Sequence, residues 1–307
     1  MVWADYLALL TWQGCKVFLK DFESLTTFNP HTIEDIKSIV SHSETKQFLI
    51  HNKYWWKKAE ENYKSFSQKG YKLTWPGKED YPSSFLKLNS PPLSLTYLGD
   101  LLRLEKEQYF PLTIVGSRKG QETALNWMDF YLPKIIRTKK ICLVSGGARG
   151  IDQKVHSIAI RLSSPTVCFL PSGLDFFYPS GLLQFKKSIL DHGGVFISCF
   201  PPEFEMRKPF FHIRNELLAC YSRLVLVGQA QIRSGTMLTA QKALNYGVPV
   251  AALPGPPLSA AWTGNLQLLY DGAYLLRDET DLSLLIESLI YNPNQSCLRS
   301  PPSVYSI

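Results

Sequence analysis

Short apolar runs alternate with longer amphipathic segments through most of the chain. Six runs are predicted to be β-strands: Leu112–Val115, Ile141–Ser145, Thr166–Pro171, Val195–Cys199, Leu224–Val227 and Pro249–Leu253. Between them, apolar residues at helical spacing predict helices over Glu122–Arg137, Ile151–Leu162, Leu182–His192, Phe211–Tyr221 and Leu238–Tyr246. Because the strand runs are apolar almost throughout, they indicate an α/β fold, with a parallel sheet covered by helices on both faces.

The region before these strands has a different pattern. In residues 1–72 the apolar residues recur at helical spacing, which predicts a small helical N-terminal domain. Its second half, Ser43–Lys69, is rich in lysine and in aromatic residues. The aromatic side chains either pack into the core of this domain, which we favour, or form an additional nucleic-acid surface with the lysines between them.

Turn signals separate the two patterns, and a second weakly patterned stretch ends the chain. Trp75-Pro76-Gly77, Tyr81-Pro82 and Pro91-Pro92 predict a linker, after which the main domain extends over residues 73–290. Residues 291–307 contain several prolines and show little periodicity. We expect them to form a short, loosely attached tail.

Composition narrows the class of protein. The chain has 307 residues, of which 45% are hydrophobic, and a mean hydropathy of −0.08, values that argue against disorder throughout. No uncharged apolar run approaches the about 18 residues that a membrane span needs, and the N-terminus lacks a basic leader. We therefore expect a cytoplasmic protein without a membrane partner. The six cysteines include no C-x-x-C pair and are expected to be reduced core residues.

Loops at the carboxyl ends of the predicted strands combine glycine, hydroxyl and arginine residues. They contain Gly116-Ser117-Arg118, Ser145-Gly146-Gly147-Ala148-Arg149-Gly150-Ile151-Asp152, Lys208-Pro209-Phe210-Phe211-His212-Ile213-Arg214-Asn215, and Arg233-Ser234-Gly235-Thr236 with Thr239. Since parallel strands end at one edge of the sheet, Arg118, Arg149, Arg214 and Arg233 are expected to converge there. Converging guanidinium groups repel one another unless an anion lies among them. The net charge of 33 − 26 = +7 also favours an anionic partner.

Common nucleotide and metal motifs are missing. The sequence has neither a G-x-G-x-x-G motif for NAD nor a G-x-x-x-x-G-K-[ST] motif for ATP, so no cofactor is expected. Asp152 and His156 lie one helical turn apart, a spacing that suits a metal or an acid/base pair. Without a third ligand nearby, we expect no metal site. We favour a role for Asp152 in capping the helix or in orienting a loop donor.

Taken in order, these motifs resemble those of the DNA-processing protein A family (DprA, also called Smf). The resemblance covers roughly residues 73–276 and rests on the following motifs: Tyr81-Pro82, Val115-Gly116-Ser117-Arg118, Ser145 to Asp152 with His156, Gly173-Leu174-Asp175 with Tyr178-Pro179, Phe211-x-x-Arg214-Asn215, Ser234-Gly235-Thr236 with Thr239-Ala240, Pro254-Gly255, and Gly264-Asn265 with Gly272-Ala273. The helical N-terminus is similar in placement to the family's SAM-like domain. Many members also carry a winged-helix domain, for which we expect no room here.

The resemblance implies an extended Rossmann-like, doubly wound and mostly parallel sheet that binds single-stranded DNA. It implies homodimers that protect incoming DNA and load the RecA recombinase during natural transformation, without catalytic activity. The implied phosphate-binding residues are Gly116, Ser117, Arg118, Ser145, Gly146, Gly147, Arg149, Lys208, Arg214, Asn215, Ser234, Gly235, Thr236 and Thr239. Phe210 and Phe211 are the candidates for base stacking, although each has an alternative role in packing at the start of a helix. Residues 1–72 are expected to be dispensable for DNA binding if their aromatic side chains form a core.

Three positions depart from the family pattern. Cys199 and Gly228 stand where the family usually has a glutamate, which is expected to make the edge of the pocket more positive. Glu216 stands where an arginine is usual and is expected to add a carboxylate near the phosphate site.

A related class of enzymes offers the alternative function. Phosphoribohydrolases that release cytokinin-type bases share this sheet and use P-G-G-x-G-T-x-x-E, whose glutamate is needed for the chemistry. Here the position of that glutamate is Thr239, a residue without a useful pKa for acid/base work. The sequence therefore favours single-stranded DNA binding over the alternative of a nucleotide-binding or phosphoribohydrolase-like relative.

Overall fold

Helices occupy the first part of the chain, in agreement with its apolar spacing. The computed structural model describes residues 2–28 and 32–291, so the predicted tail lies outside the described residues from position 292 onward. The helices before the first strand are α1 (Trp3–Leu10), α2 (Leu19–Phe28), α3 (Ile36–Ile39), α4 (Ser43–His51) and α5 (Trp55–Gln68). No helix within the described ranges is long and apolar enough to cross a lipid bilayer.

Among the described residues, nine strands form one sheet. They are β1 (Lys72–Thr74), β2 (Leu95–Leu98), β3 (Phe110–Gly116), β4 (Ile141–Ser145), β5 (Thr166–Phe169), β6 (Val195–Ser198), β7 (Leu224–Gln229), β8 (Val250–Ala252) and β9 (Tyr274–Leu275). Across the sheet they run in the order β1-β2-β6-β5-β4-β3-β7-β8-β9. The pairs β1–β2 and β2–β6 are antiparallel, and the other neighbouring pairs are parallel. The predicted α/β class with a Rossmann-like, mostly parallel sheet is confirmed.

Alternate side chains of the central strands enter two different helix layers. The helices are α6 (Leu101–Lys106), α7 (Glu122–Thr138), α8 (Ile151–Arg161), α9 (Lys186–Asp191), α10 (Phe210–Tyr221), α11 (Gly235–Asn245), α12 (Thr263–Tyr270) and α13 (Glu279–Tyr291). In β7, Leu224 and Leu226 pack with residues of α7, α8 and α13, whereas Val225 and Val227 pack with residues of α10 and α11. Successive strand residues point to opposite faces, so a strand buried on both faces must be apolar throughout.

The N-terminal helices share a core with one end of this sheet. Buried side chains of α1 and α5, such as Leu7 and Phe66, belong to the same cluster as Cys168 of β5 and Phe196 of β6. Trp55 and Phe66 of α5 are buried, while Tyr54, just before the helix, is 68% exposed. Most of the aromatic residues here therefore pack inward, as favoured from the sequence.

We predicted that the stretch with turn signals is a linker. This prediction is wrong, because the stretch belongs to the sheet. It forms β1, the 3-10 helix Ser83–Lys87 and β2, which extend the parallel sheet by an antiparallel edge. Tyr81 and Phe85 are buried in the core, and the carboxylate of Asp80 accepts hydrogen bonds from Thr74 and Tyr97. The two strands are too short to show an apolar pattern in the sequence, and the prolines between them dominate the local signal.

The chain reverses its direction of winding at β3. It proceeds outward through β4, β5 and β6, and then returns to place β7 on the other side of β3. The carboxyl ends of β3, β4 and β7 therefore border the crevice where ligands bind in open α/β sheets. The buried side chain of Asn265 fixes the loop after β7 by accepting from Ala230 N at 2.7 Å and donating to Leu253 O at 2.9 Å.

The cysteines of the described residues are free thiols. Cys142, Cys168 and Cys220 are buried, and Cys15 and Cys199 are partly buried. Burial raises the pKa of the Cys220 thiol to about 11, which favours the protonated form. Cys297 lies outside the described residues.

His156 on α8 is a buried structural residue. Its Nδ1 lies 2.9 Å from the hydroxyl of Thr166, and its side chain is fully covered. No group of three or more histidine, cysteine, aspartate or glutamate residues in the described part of the chain is placed to hold a metal. Burial disfavours the charged ring and lowers the pKa of His156 from 6.5 to about 3.

The buried His156 makes stability depend on pH. Between pH 6.5 and pH 3 the unfolded chain takes up a proton here and the folded chain does not, so stability falls as the pH falls. This group alone contributes a slope of about 1.4 kcal/mol per pH unit. Urea unfolding of the wild type and of His156→Gln between pH 7 and pH 4.5 measures it. The difference between the two free energies should change by that slope below about pH 6; a constant difference would contradict this assignment.

Candidate nucleic-acid interface

Two neighbouring cavities open at the carboxyl edge of the sheet. The first, about 720 Å³, lies between the ends of β3 and β7 and the start of α11. The second, about 570 Å³, lies between the loop after β4 and the segment Phe177–Ser180. Of the predicted site residues, the first is lined by Gly116, Ser117, Arg118, Phe211, Arg214, Asn215, Ser234, Gly235, Thr236 and Thr239, and the second by Arg118, Gly146, Arg149, Phe211 and Arg214.

Phe211 stands where the two cavities meet. It lines both of them together with Arg118 and Arg214. The guanidinium carbons of Arg118 and Arg214 lie 5.8 Å and 5.7 Å from the centre of its ring, within the range of cation–π attraction. Tyr178 meets the same ring edge-on at 5.8 Å. A π-face and two cations are thus concentrated at one point of the crevice.

Arg214 is a buried cation with few partners. Its side chain is 7% exposed, and its Nη1 is 4.0 Å from the carboxylate of Asp152. None of the hydrogen bonds found among the described residues involves its guanidinium, and the buried Nε lacks any partner there. Burial and the nearby charge of Arg118 lower the pKa of Arg214, while Asp152 opposes this shift. The guanidinium of Arg214 therefore places a positive charge beside the loop after β4, and this charge is only partly neutralised.

Gly146 makes room for this guanidinium. A Cβ at position 146 would overlap Nη1 and the guanidinium carbon of Arg214. Asp152, itself buried, accepts a hydrogen bond from Ala148 N at 3.3 Å, which fixes the loop around the arginine. Of the two roles expected for Asp152, the structure supports the orientation of a loop donor, because Gly150 precedes α8 and no side chain caps that helix. Burial raises the pKa of Asp152, and the charge of Arg214 counteracts it.

Arg118 is exposed, and apart from its cation–π contact with Phe211 it has no partner among the described residues. It makes no ion pair with any described residue, so the pairing with Glu122 that would give it a structural role is absent. A Gly-Ser loop at the end of a strand is expected to offer free backbone N–H groups and a helix start to an anion, but this loop offers neither beside Arg118. Ser117 N already donates to Gln229 O at 2.8 Å, and α7 begins only at Glu122. Arg118 therefore offers its guanidinium to an anion without help from the amide of Ser117 or from a helix start.

The start of α11 supplies backbone donors instead. Ser234 precedes the helix and accepts from Met237 N at 3.5 Å, while Gly235 and Thr236 form the first turn at the first cavity. The first N–H groups of a helix have no partner within it and favour an anion. Thr239 reaches the same cavity but is buried, with its hydroxyl donating to Gly235 O at 3.3 Å.

Some predicted residues lie elsewhere. Ser145 is buried and donates to Ile114 O at 2.7 Å. Gly147 is enclosed by Leu182 and Cys168. Three more lie outside the linings of both cavities: Lys208 and Arg233, which are exposed, and Phe210, whose ring stacks on Phe200 at 4.0 Å.

The three departures from the family pattern lie away from the crevice, contrary to what we expected of them. Glu216 lies two residues after Arg214 in α10, so its side chain points to another side of the helix. There it faces a different groove and pairs with Lys242 at 2.9 Å. Cys199 lines that other groove, since β6 is separated from β3 by two strands. Gly228 packs against Met128 and Ile151. None of them alters the charge at the linings of the two cavities.

Several lining residues were not singled out from the sequence. They are Lys119, Gln121, Phe177, Ser180, His212 and Gln231. Tyr178 and Pro179 formed part of the motif resemblance without an assigned role. The sequence could have indicated Lys119, because it directly follows Arg118. It also shows the aromatic pair Phe177-Tyr178, but only the tertiary structure reveals that this pair lies beside Phe211.

Known proteins share this fold and sequence pattern. The family described as DNA recombination-mediator protein A matches residues 72–287. Protein Smf of Synechocystis sp. is 32% identical over 216 residues, which are 70% of this chain and 54% of that protein. This chain therefore spans about half the length of that relative.

Two solved structures are similar over most of their length. The X-ray structure of DNA processing protein A from Streptococcus pneumoniae gives a TM-score of 0.76 at 23% identity, covering 92% of this chain and 97% of that one. DNA processing protein A from Helicobacter pylori, whose structure is described in terms of its single-stranded DNA binding mode, gives 0.63 at 25% identity, covering 71% and 96%.

The close contact at position 146 can be tested by a single methyl group. Gly146→Ala should lower the free energy of unfolding by about 1–3 kcal/mol, because the new Cβ displaces the buried guanidinium. Gly235→Ala is the matched control: apart from its chain neighbours and the backbone of its own helix, no atom of the described residues lies within 4 Å of the added Cβ, and its change should stay within about 0.5 kcal/mol. Urea unfolding measures both. Equal values for the two variants would show that Arg214 does not depend on this contact.

Proposed function

This chain belongs to the DNA recombination-mediator protein A family, and we propose that it binds single-stranded DNA and processes incoming DNA during natural transformation. The observation that carries the proposal is the arrangement of Arg118 and Arg214 around the ring of Phe211. A single strand offers what this arrangement lacks: phosphates for the cations and bases for the π-face. We propose that the DNA site lies within residues 73–290.

The electrostatic argument rests on the buried guanidinium. Arg214 is covered by protein, and among the described residues its one carboxylate partner is Asp152, at 4.0 Å. A buried charge without sufficient partners is costly, and a phosphate oxygen in the crevice would supply both charge and hydrogen bonds. Arg118, which is exposed and unpaired among the described residues, would hold the strand at the same point.

The aromatic argument concerns bases. Phe211 is partly exposed and lines both cavities, whereas the ring of Phe210 already has Phe200 stacked on it. Stacking on an aromatic ring accepts any base and contributes about 1–3 kcal/mol per base. We therefore propose Phe211, and not Phe210, as the stacking residue, and we expect little sequence preference.

The similar Helicobacter pylori protein supports single-stranded DNA as the ligand, since its structure is described in terms of its single-stranded DNA binding mode. Against the phosphoribohydrolase alternative stands Thr239, whose hydroxyl is buried and bonded where those enzymes have a catalytic glutamate. We propose that the protein is a non-enzymatic, cytoplasmic mediator that works without a metal or nucleotide cofactor.

The proposed partners beyond DNA are a second copy of the chain and the RecA recombinase. Both follow from the family, and both have direct tests. Sedimentation velocity at high micromolar concentration should give a dimer; a monomer would contradict the first. RecA filament assembly on strands coated with a single-stranded DNA-binding protein should speed up when this protein is added; an unchanged rate would contradict the second.

Arg118 is the side chain that matters most to this proposal. Arg118→Ala should weaken binding to oligo(dT) by about 10- to 150-fold, the value of one charge-assisted contact, and leave the melting temperature unchanged. Arg118→Lys should restore part of the affinity, because lysine cannot grip two phosphate oxygens at once. The matched control is Arg233→Ala, an exposed arginine outside both cavities, with an expected change of less than about threefold. Fluorescence anisotropy measures all three. Equal losses for Arg118→Ala and Arg233→Ala would remove Arg118 from the site.

Phe211 should act through stacking and not through charge. Phe211→Leu keeps most of the volume and should weaken binding by about 5- to 150-fold. For Phe211→Leu, the slope of log K against log salt should equal that of the wild type, because no phosphate contact is lost. Phe204→Leu, an exposed phenylalanine outside both cavities, serves as the control. A changed salt slope for Phe211→Leu would contradict the stacking role.

A further inference from the structure

One wall of the second cavity comes from the segment Phe177–Ser180, which follows β5 and a turn. Its Tyr178 ring meets Phe211 edge-on, with centroids 5.8 Å apart and planes at 80°. Edge-to-face aromatic pairs have a preferred geometry, so the position of Tyr178 sets how the Phe211 ring is presented. What holds this segment in place therefore matters to the DNA site.

The N-terminal part of the chain holds the segment through Asp175. Lys69 Nζ donates to Asp175 Oδ2 at 2.7 Å. The hydroxyl of Tyr71 donates to Asp175 Oδ1 and to Leu174 O, each at 3.1 Å. Tyr71 is buried, whereas the Lys69 side chain is 47% exposed. Both carboxylate oxygens are thus engaged by residues that directly follow α5.

The opposite end of the turn is fastened to the segment that leads into α10. Gly173 N donates to Phe204 O at 2.7 Å, and Asp175 N donates to Pro202 O at 3.0 Å. A Cβ at Gly173 would collide with the carbonyl groups of Pro201 and Pro202, so only glycine allows this close approach. The turn is therefore held between the N-terminal region and the connection that leads from β6 to α10, the helix that carries Phe211.

We propose that Asp175 is a positioning residue of the DNA site, through which Lys69 and Tyr71 of the N-terminal region hold Tyr178 against Phe211. The proposal rests on the single-stranded DNA binding proposed above. It changes the expectation that residues 1–72 are dispensable for binding. Their helices form a core, but the residues directly after α5 support the wall of the second cavity.

Tyr71→Phe tests the proposal with a minimal change. It keeps the buried ring and removes the hydrogen bonds to Asp175 and Leu174, and it should weaken oligo(dT) binding by about 2- to 10-fold. The salt slope should not change, because no phosphate contact is lost. Tyr6→Phe is the matched control, since it removes a 2.7 Å hydrogen bond to Glu60 within the same helical region. Lys69→Met, at an exposed position, provides a second variant that does not depend on the buried tyrosine.

A double-mutant cycle separates positioning from a general loss of stability. In a Tyr178→Ala background, Tyr71→Phe should no longer affect affinity, because the residue it positions is gone. An equal loss in both backgrounds, or losses no larger than that of Tyr6→Phe, would overturn the proposal while Arg118→Ala still reports the DNA site. If the wild type fails to bind oligo(dT), the proposed function fails, and this inference fails with it.

Discussion

The crevice depends on one buried charge. Arg214 enters from α10 and lies in the space that the absence of a side chain at Gly146 provides. Asp152 lies 4.0 Å away and also binds the backbone of the loop after β4. Removing either member of such a pair would leave an uncompensated charge. The loop after β4 and the start of α10 therefore depend on each other for stability. Phe211 precedes Arg214 by three residues on the same helix, so the position of Arg214 also fixes Phe211, which lines both cavities.

The incomplete pairing of Arg214 is the link between structure and function. A pair at 4.0 Å with no hydrogen bond leaves the guanidinium with unused donors at the edge of the crevice. An anionic ligand in the crevice would supply the missing charge and hydrogen bonds. Arg118 then adds an exposed guanidinium near the buried one, so in the proposed site Arg214 is part of the wall and Arg118 contacts the ligand from the solvent side.

Much of this could be predicted from the sequence, because buried parallel strands have a strong signal. Val225 and Val227 face one helix layer and Leu224 and Leu226 the other, so β7 reads as an uninterrupted apolar run. The motif order around Arg118 and Phe211 was likewise sufficient to identify the family, as the match over residues 72–287 confirms.

What failed were the features that only tertiary contacts define. The strands β1 and β2 carry few residues and are stabilised by pairing with each other and with β6, so the prolines between them were wrongly interpreted as a linker. Spacing along α10 separates Glu216 from Arg214, but it could not tell which groove Glu216 faces or that it pairs with Lys242. Nor does any local pattern reveal that Tyr71 reaches Asp175, more than a hundred positions away in the chain.

The most direct test of the central claim is the affinity for oligo(dT) and for a duplex of equal length over a salt series, without metal or ATP. If guanidinium groups at this crevice neutralise three to five backbone phosphates, log K should fall with log salt at a slope of roughly −2 to −3.5. The single strand should bind more tightly than the duplex, because only unpaired bases can stack on Phe211. An affinity that does not respond to salt, or equal binding of the duplex, would contradict the account.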